Sequence, residues 1–205
     1  SYIEAPMEGV AEAAACKWVS IRENNRTKFD LPTVFSILVY TDPETGFPLA
    51  IVDGSYHTMM RTGASAAASL RWMARKNSKI LALVGAGDVG IGALRTCATV
   101  FDWDEVRVWS RGRTTLDNFM ASEESRHPDL TIKPSTNIDN VVPGADVVVT
   151  MTTGGNIVVR DEHISEGMHI AALGSDLAGN QELEGACVKR ARIFVDDISQ
   201  CRSDG

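Results

Sequence analysis

Apolar residues form two different patterns along the chain. Up to residue 53 they form the runs "KWVSI", "PTVFSILVY" and "FPLAIVD", which are typical of β-strands, and "TDPETG" supplies the proline and glycine of a hairpin turn. Residues 55–75 change to strong helix formers, as in "ASAAASLRWMAR", and predict a helix. The first part of the chain is therefore expected to form a small sheet followed by one long helix.

From residue 79 onwards, apolar runs alternate with helical patterns. The predicted strands are "KILALVG", "EVRVWS", "LTIKPS", "DVVVTMT", "MHIAALG" and "RIFVDD", and the predicted helices are "VGIGALRTCATVF", "TTLDNFMASEES" and the short "NIDNVVPGA". This alternation predicts right-handed βαβ units around a parallel sheet that is covered on both faces. We predict an α/β chain with a doubly wound, Rossmann-type domain over residues 71–205 and a smaller domain over residues 1–70.

The stretch "ILALVGAGDVGIGALR" carries a G-x-G-x-x-G motif between a predicted strand and a predicted helix. Gly85 would make the tight turn, Gly87 would let the backbone approach a pyrophosphate, and Gly90 would let the helix pack closely on the strand. With Asp88 and Val89, these glycines predict a dinucleotide site at a helix N-terminus. The alternative is a tight strand–helix turn that binds no ligand.

The residues after the second strand of such a fold select between NAD(H) and NADP(H). Here they are Ser110, Arg111 and Arg113, and no carboxylate stands among them. A hydroxyl and two guanidinium groups suit a 2′-phosphate, so we predict NADP(H) rather than NAD(H), unless both arginines are simply solvated. Further cofactor-side positions are expected where later strands end, at Thr150, Met151, Thr152 and Ala172.

Composition narrows the possible functions of the chain. It has 205 residues, a net charge of -7 and 44% hydrophobic residues, which fits a globular protein and disfavours nucleic acid as the main partner. No apolar run approaches the roughly 20 residues that span a membrane. The four cysteines and four histidines show no metal-binding spacing. We expect free thiols, a cytoplasmic location and no metal site.

Several motifs together resemble the ornithine cyclodeaminase/mu-crystallin family. They are "CKWVSI", "DLPTVFSILVYTDPETGFPLAIVDGSYHTMMRTGASAAAS", "LVGAGDVG", "GADVVVTMT", "IAALGSDLAGNQEL" and "VDD", of which "ETGFPLAIVDG" with "RTGAS" is the most specific. The resemblance implies a mixed-sheet domain for substrate binding and dimerisation beside the Rossmann domain. It also implies a homodimer and a smaller domain that is incomplete at both chain ends.

The resemblance further implies hydride transfer between a nicotinamide cofactor and the α-carbon of a small amino or imino acid. The favoured reaction is that of an ornithine cyclodeaminase. The alternatives are a ketimine or pyrroline-2-carboxylate reductase and an alanine- or opine-type dehydrogenase. Two non-enzymatic alternatives are a crystallin-like binding protein and a regulator that senses NADP(H).

Family positions also imply roles for individual residues. Lys17 would bind the substrate and take part in catalysis, although on sequence alone a surface lysine is the simpler interpretation. Arg61 would clamp the substrate carboxylate, for which a planar guanidinium is suited. Asp176 would activate the amine or water that attacks the imine, and the alternative is a helix N-cap.

Three further positions follow from the same resemblance. Glu4 would be a second substrate-side carboxylate, with Glu8 and Glu12 as competitors. Thr33 and Thr62 would lie near the cofactor.

The direction of the reaction stays open on sequence alone. The presence of Asp176 favours a reaction that consumes an amino acid, whereas an NADP(H) preference suits a reductase.

Overall fold

The computed structural model describes residues 2–4, 13–22, 24–153, 155–174 and 179–204. The chain divides into two compact units, Ser1–Thr58 and Met59–Gly205. The division falls inside the long helix Ser55–Met73, and the domain boundary predicted at residue 70 lies in that same helix.

The first unit contains a four-stranded sheet. Its strands are β1 (Tyr2–Glu4), β2 (Ala14–Ile21), β3 (Val34–Thr41) and β4 (Pro48–Asp53), and the short helix α1 (Asn25–Phe29) lies between β2 and β3 in the chain. The strands follow the order β1-β2-β3-β4, and each pairs antiparallel with its neighbour. The sheet is therefore not mixed over the described residues, because strands that are consecutive in the chain lie side by side and antiparallel pairing needs no long crossover.

One face of this sheet is apolar and exposed. Trp18 of β2 pairs with Ile37 of β3, and Ile51 of β4 lies on the same face through its pairing with Val39. Trp18 is 60% and Ile51 is 74% exposed. Lys17 projects from the opposite face because side chains alternate along a strand. Exposed apolar surface of this kind marks an interaction site more often than a solvated one.

The second unit begins within α2 (Ser55–Met73) and contains a parallel sheet. Its strands are β5 (Ile80–Val84), β6 (Glu105–Trp109), β7 (Ile132–Ser135), β8 (Val147–Thr150) and β9 (His169–Ala172). Its remaining helices are α3 (Asp88–Cys97), α4 (Arg113–Glu123), α5 (Gly185–Arg190) and α6 (Ile198–Asp204). The strand order is β7-β6-β5-β8-β9, which confirms the predicted Rossmann-type sheet and places its switch point between β5 and β8.

Apolar side chains cover both faces of the parallel sheet. Leu83 of β5 packs with Leu94 and Phe119 on one face, whereas Val84 packs with Val141 on the other. All five side chains are almost completely buried. This two-sided burial explains why the central strands are continuous apolar runs and do not alternate.

Two predicted elements differ from the structure. The segment "RIFVDD", residues 192–197, forms no strand, and Ile193 is 61% exposed, so that prediction is wrong. A strand needs a paired neighbour, and no described strand lies beyond the edge strand β9. The predicted helix in "NIDNVVPGA" is only a 3-10 turn at Ile138–Asn140, since Pro143 and Gly144 (φ 74°) stop it.

Candidate dinucleotide site

Two glycines of the G-x-G-x-x-G motif are required by the fold itself. Gly85 directly follows β5, has a φ of 130°, and a Cβ there would lie 2.8 Å from the Met151 carbonyl oxygen. A Cβ on Gly90, in the first turn of α3, would overlap the Gly85 carbonyl oxygen. A side chain at either position would push the turn or the helix away from the sheet.

Gly87 is different, because no contact with the described part of the chain requires a glycine there. Its φ of -80° and ψ of -167° form an extended conformation that any residue adopts. No heavy atom of the described residues lies within 4 Å of the place where a Cβ would stand. The backbone of Gly87 thus faces open space directly before α3.

The first turn of α3 offers amide groups to that space. The N–H groups of Asp88, Val89 and Gly90 have no helical acceptor, because the first amides of any helix lack one. The Asp88 side chain is exposed, and Val89 is half-buried. Free amides beside an open glycine fit a pyrophosphate.

The end of β8 lies beside this loop, at the switch point of the sheet. Met151 is buried, its N–H donates to the Val84 carbonyl at 3.0 Å, and its side chain packs on Gly85. Thr152 is half-buried, and Ala172 is exposed at the end of β9. Thr150 is fully buried, so of the predicted strand-end positions it is the one whose side chain does not reach the surface.

A buried carboxylate that the sequence reasoning missed joins the ends of β8 and β9. Glu182 is only 3% exposed. It accepts hydrogen bonds from the Thr150 hydroxyl at 2.6 Å, from the Thr152 hydroxyl at 2.7 Å and amide at 2.5 Å, and from the Gly174 amide at 3.0 Å. The sequence signals this residue only through its place in "IAALGSDLAGNQEL".

The turn after β6 has the charge that a phosphate would need. Ser110 is half-buried and Arg111 is exposed. Arg113 is the first residue of α4 and pairs with Asp117 at 3.0 Å. Gly112 provides no side-chain cap, and the first turn of α4 carries no acid. The N-terminus of α4 carries the positive end of the helix dipole, and Arg113 adds a further positive charge there. A bound anion would offset both positive charges.

Arg61 and Thr62 lie on α2 directly before a close helix crossing. Arg61 is exposed and Thr62 is half-buried. The next residue, Gly63, lies so close to the backbone of Gly92 in α3 that a Cβ would overlap it. This crossing fixes Arg61 and Thr62 relative to the helix that begins at the glycine loop.

The remaining predicted site residues lie in the first unit or outside the described residues. Lys17 of β2 is half-buried and pairs with Leu38, and Thr33 is half-buried just before β3. Glu4 belongs to β1, where it pairs with Ala14. Asp176 lies outside the described residues. The roles of these four residues remain predictions.

Neither a metal-binding cluster nor a membrane-spanning helix is found among the described residues. No group of three or more His, Cys, Asp or Glu side chains there could hold a metal ion. Within the same residues, no helix is both long and apolar enough to cross a membrane. All four cysteines are free, and burial raises the pKa of the Cys97 thiol to about 12.

Comparison with known proteins gives a family match over most of the chain. Residues 5–205 match the model of the ornithine cyclodeaminase/mu-crystallin family. An alanine dehydrogenase of Archaeoglobus fulgidus is 36% identical over 192 residues, which are 94% of this chain and 58% of that protein. The chain therefore spans little more than half the length of this relative.

Two solved structures resemble the fold over nearly the whole chain. One is an archaeal alanine dehydrogenase dimer with bound NAD, with a TM-score of 0.83 and 32% identity over 99% of this chain and 65% of that chain. The other is the Δ1-pyrroline-2-carboxylate reductase of Thermococcus litoralis with NADH and L-proline. It has a TM-score of 0.87 and 31% identity over 94% of this chain and 59% of that chain.

Proposed function

The chain belongs to the ornithine cyclodeaminase/mu-crystallin family, and from that membership we propose that it binds a nicotinamide dinucleotide and catalyses hydride transfer at the α-carbon of a small amino or imino acid. The observation that carries the proposal is the open space at Gly87. Gly85 and Gly90 are explained by contacts within the protein, whereas the open backbone of Gly87, directly before α3, suits a group that approaches it from outside.

Different residues of the chain would bind the cofactor, bind the substrate and move the proton. The Gly87 backbone and the first-turn amides of α3 would hold the pyrophosphate, and Met151 would close the switch point beneath the cofactor. When bound, the nicotinamide would supply the hydride chemistry. Arg61 would bind the substrate carboxylate, and Asp176 would hold or move a proton on the reacting amine or water.

For the cofactor we propose NADP(H) in preference to NAD(H). The support is the uncapped, acid-free first turn of α4 with Arg111 and Arg113 beside it, since guanidinium groups bind phosphate strongly. The two similar structures contain NAD and NADH, so this preference would distinguish the chain from those relatives.

For the reaction we propose an amino-acid dehydrogenase or imine reductase. Alanine and proline, the reduced forms of a linear and a cyclic imine, are named with the relatives described above. Cyclodeamination of ornithine is the second candidate, and it is supported by Asp176, whose carboxylate suits activation of an attacking amine. We also propose that the exposed apolar face of the first unit, with Trp18 and Ile51, forms a homodimer.

A binding experiment tests the proposal at Gly87. NADPH and NADH are titrated by fluorescence against wild type, Gly87→Ala and the control Gly185→Ala, which adds a methyl group to another open site. We expect Gly87→Ala to lose affinity while its melting temperature falls only slightly. Alanine fits the extended backbone but blocks the pyrophosphate, and it is a somewhat poorer N-cap for α3 than glycine. Wild-type protein that binds neither nucleotide, or Gly87→Ala that binds both normally, would refute the proposal.

The substrate is identified by a second assay. Absorbance at 340 nm is followed with alanine, ornithine and cyclic imines as substrates, each with both cofactors. Ammonia release from ornithine without net absorbance change would identify a cyclodeaminase. Absorbance change with alanine or a cyclic imine would identify a dehydrogenase or reductase.

A further inference from the structure

Glu182 is an almost completely buried acidic side chain. Among the described residues, no Lys, Arg or His forms a salt bridge with it. Buried glutamates are rare, and they are normally paired because desolvating a charge is costly. Within the described part of the chain, Glu182 is instead held by four donors that carry no charge, two hydroxyls and two backbone amides.

These four hydrogen bonds require an acceptor at both side-chain oxygens of residue 182. Oε1 accepts from the Thr152 amide, and Oε2 accepts from the Gly174 amide. A glutamine would place its NH2 group against one of these amides, whichever way it turned, and a backbone N–H cannot rotate away. The fit is also close, because a Cβ on Gly174 would lie 2.5 Å from the carboxylate carbon of Glu182.

The backbone of Glu182 is fixed as well. Its carbonyl oxygen accepts hydrogen bonds from the Val158 amide at 2.9 Å and the Val159 amide at 3.0 Å. The next residue, Leu183, forms a parallel bridge with Val159. The carboxylate thus projects from a rigid support, as a group that positions other residues must.

The contacts of Glu182 lie on one side of the switch point. In the order β7-β6-β5-β8-β9, the glycine loop follows β5, the phosphate-binding turn proposed for the adenosine half follows β6, and Glu182 joins the ends of β8 and β9. A dinucleotide whose pyrophosphate lies at the β5 loop and whose adenosine lies over β6 extends its other half over β8. Glu182 therefore supports the wall on which the nicotinamide half would rest.

We infer that Glu182 is a positioning residue for the nicotinamide half of the dinucleotide, because its carboxylate holds the ends of β8 and β9 in one arrangement through Thr150, Thr152 and Gly174. This inference rests on the proposed function, since it needs a dinucleotide at the switch point. It adds that a residue with almost no exposed surface controls how one half of the ligand binds.

The test compares whole cofactors with fragments that lack nicotinamide. Affinities for NADPH and NADH, and for 2′-phospho-ADP-ribose and ADP-ribose, are measured by calorimetry on wild type and Glu182→Gln. In the variant, we expect the ratio of dinucleotide affinity to fragment affinity to fall by about tenfold. This is the change in affinity that corresponds to roughly one hydrogen bond to a charged group. A general structural role would weaken both ligand classes equally.

Two controls make the result specific. Glu123→Gln alters another fully buried glutamate, at the end of α4 and therefore at the opposite edge of the sheet, and it should lower stability without changing the ratio of affinities. Should Glu182→Gln fail to fold, Thr150→Val removes a single donor from the carboxylate at nearly constant volume. Thr150→Ser keeps that donor and should restore the wild-type ratio.

The outcomes separate this inference from the proposed function. Wild-type protein that binds no dinucleotide overturns both. Wild-type protein that binds dinucleotides, with variants at Glu182 and Thr150 that leave the ratio of affinities unchanged, overturns the inference alone. A selective loss of dinucleotide affinity that Thr150→Ser restores establishes it.

Discussion

The crossing of α2 and α3 depends on two glycines, and we predict that Gly63→Ala destabilises the protein. A Cβ at Gly63 would lie 2.6 Å from the backbone nitrogen of Ala93 and closer still to the backbone of Gly92, whereas real Cβ atoms essentially never approach within 3.0 Å. The atoms in collision belong to backbone, so no side chain can rotate to relieve it. The two helices would have to separate by several tenths of an ångström.

The magnitude follows from two opposing effects. Alanine is a better helix former than glycine by about 1 kcal/mol. Overpacking of a close contact costs about 1–3 kcal/mol, and rigid backbone neighbours favour the upper part of that range. We expect a net loss of about 1–2 kcal/mol in the free energy of unfolding, which lowers Tm by roughly 2–8 °C in a chain of this size.

Thermal and urea unfolding of Gly63→Ala and Gly185→Ala measure this cost. Gly185 lies in α5, and none of the described residues has an atom within 4 Å of its Cβ position, so the same substitution there should be neutral or stabilising. Because Arg61 and Thr62 directly precede Gly63, the shift of α2 should also weaken cofactor or substrate binding. A Gly63→Ala protein as stable as Gly185→Ala would refute the crossing.

Four other predictions concern charge, cofactor choice, assembly and catalysis. Burial raises the pKa of Glu123, but its hydrogen bonds and the charge of Arg95 lower that pKa more, to below its ordinary value of 4.5. The ion pair therefore stabilises the fold above pH 4.5, and this stabilisation is lost as the pH falls. Arg95→Met should lower the free energy of unfolding in urea at pH 7 by about 3–5 kcal/mol, and a variant as stable as wild type would contradict this. Arg111→Ala should weaken NADPH binding by about 1.5–3 kcal/mol in calorimetry and leave NADH binding unchanged. Equal losses for the two cofactors would exclude a 2′-phosphate contact. Trp18→Glu should convert a sedimenting dimer to a monomer, and unchanged sedimentation would move the interface elsewhere. Asp176→Asn should lower turnover by roughly 10²–10⁴ with little change in cofactor affinity, and near wild-type turnover would mean that another group is the base.

Local patterns predict the second unit well. Apolar runs bounded by glycine and helix-forming residues indicate both β5 and α3, and the parallel sheet follows from the alternation of strands with helices. The glycine spacing also locates the turn at Gly85, because a positive φ and a close helix are consequences of local chain geometry. These features depend on residues that are near one another in sequence.

Features that depend on distant partners could not be predicted. The segment 192–197 has the composition of a strand, yet whether it pairs depends on a neighbour that no local pattern reveals. Glu182 looks like an ordinary surface acid in sequence, and its burial depends on Thr150, which lies 32 residues earlier. The mutual contact of Gly63 and Gly92 likewise appears only once two helices are packed.

The two buried glutamates of the second unit show how structural and functional roles can be separated. Glu123 lies at the end of α4 and is paired with Arg95 through two hydrogen bonds of 2.9 and 2.6 Å, so its charge is balanced within the protein. Glu182, on the carboxyl edge of the sheet, is held by uncharged donors and has no such balance among the described residues. The four donors satisfy the Glu182 oxygens but supply no opposite charge, and a buried carboxylate without a basic partner is costly. That cost is placed at the carboxyl ends of β8 and β9, on the same edge of the parallel sheet as the glycine loop after β5. This placement favours a role for Glu182 in cofactor binding over a role in stability alone.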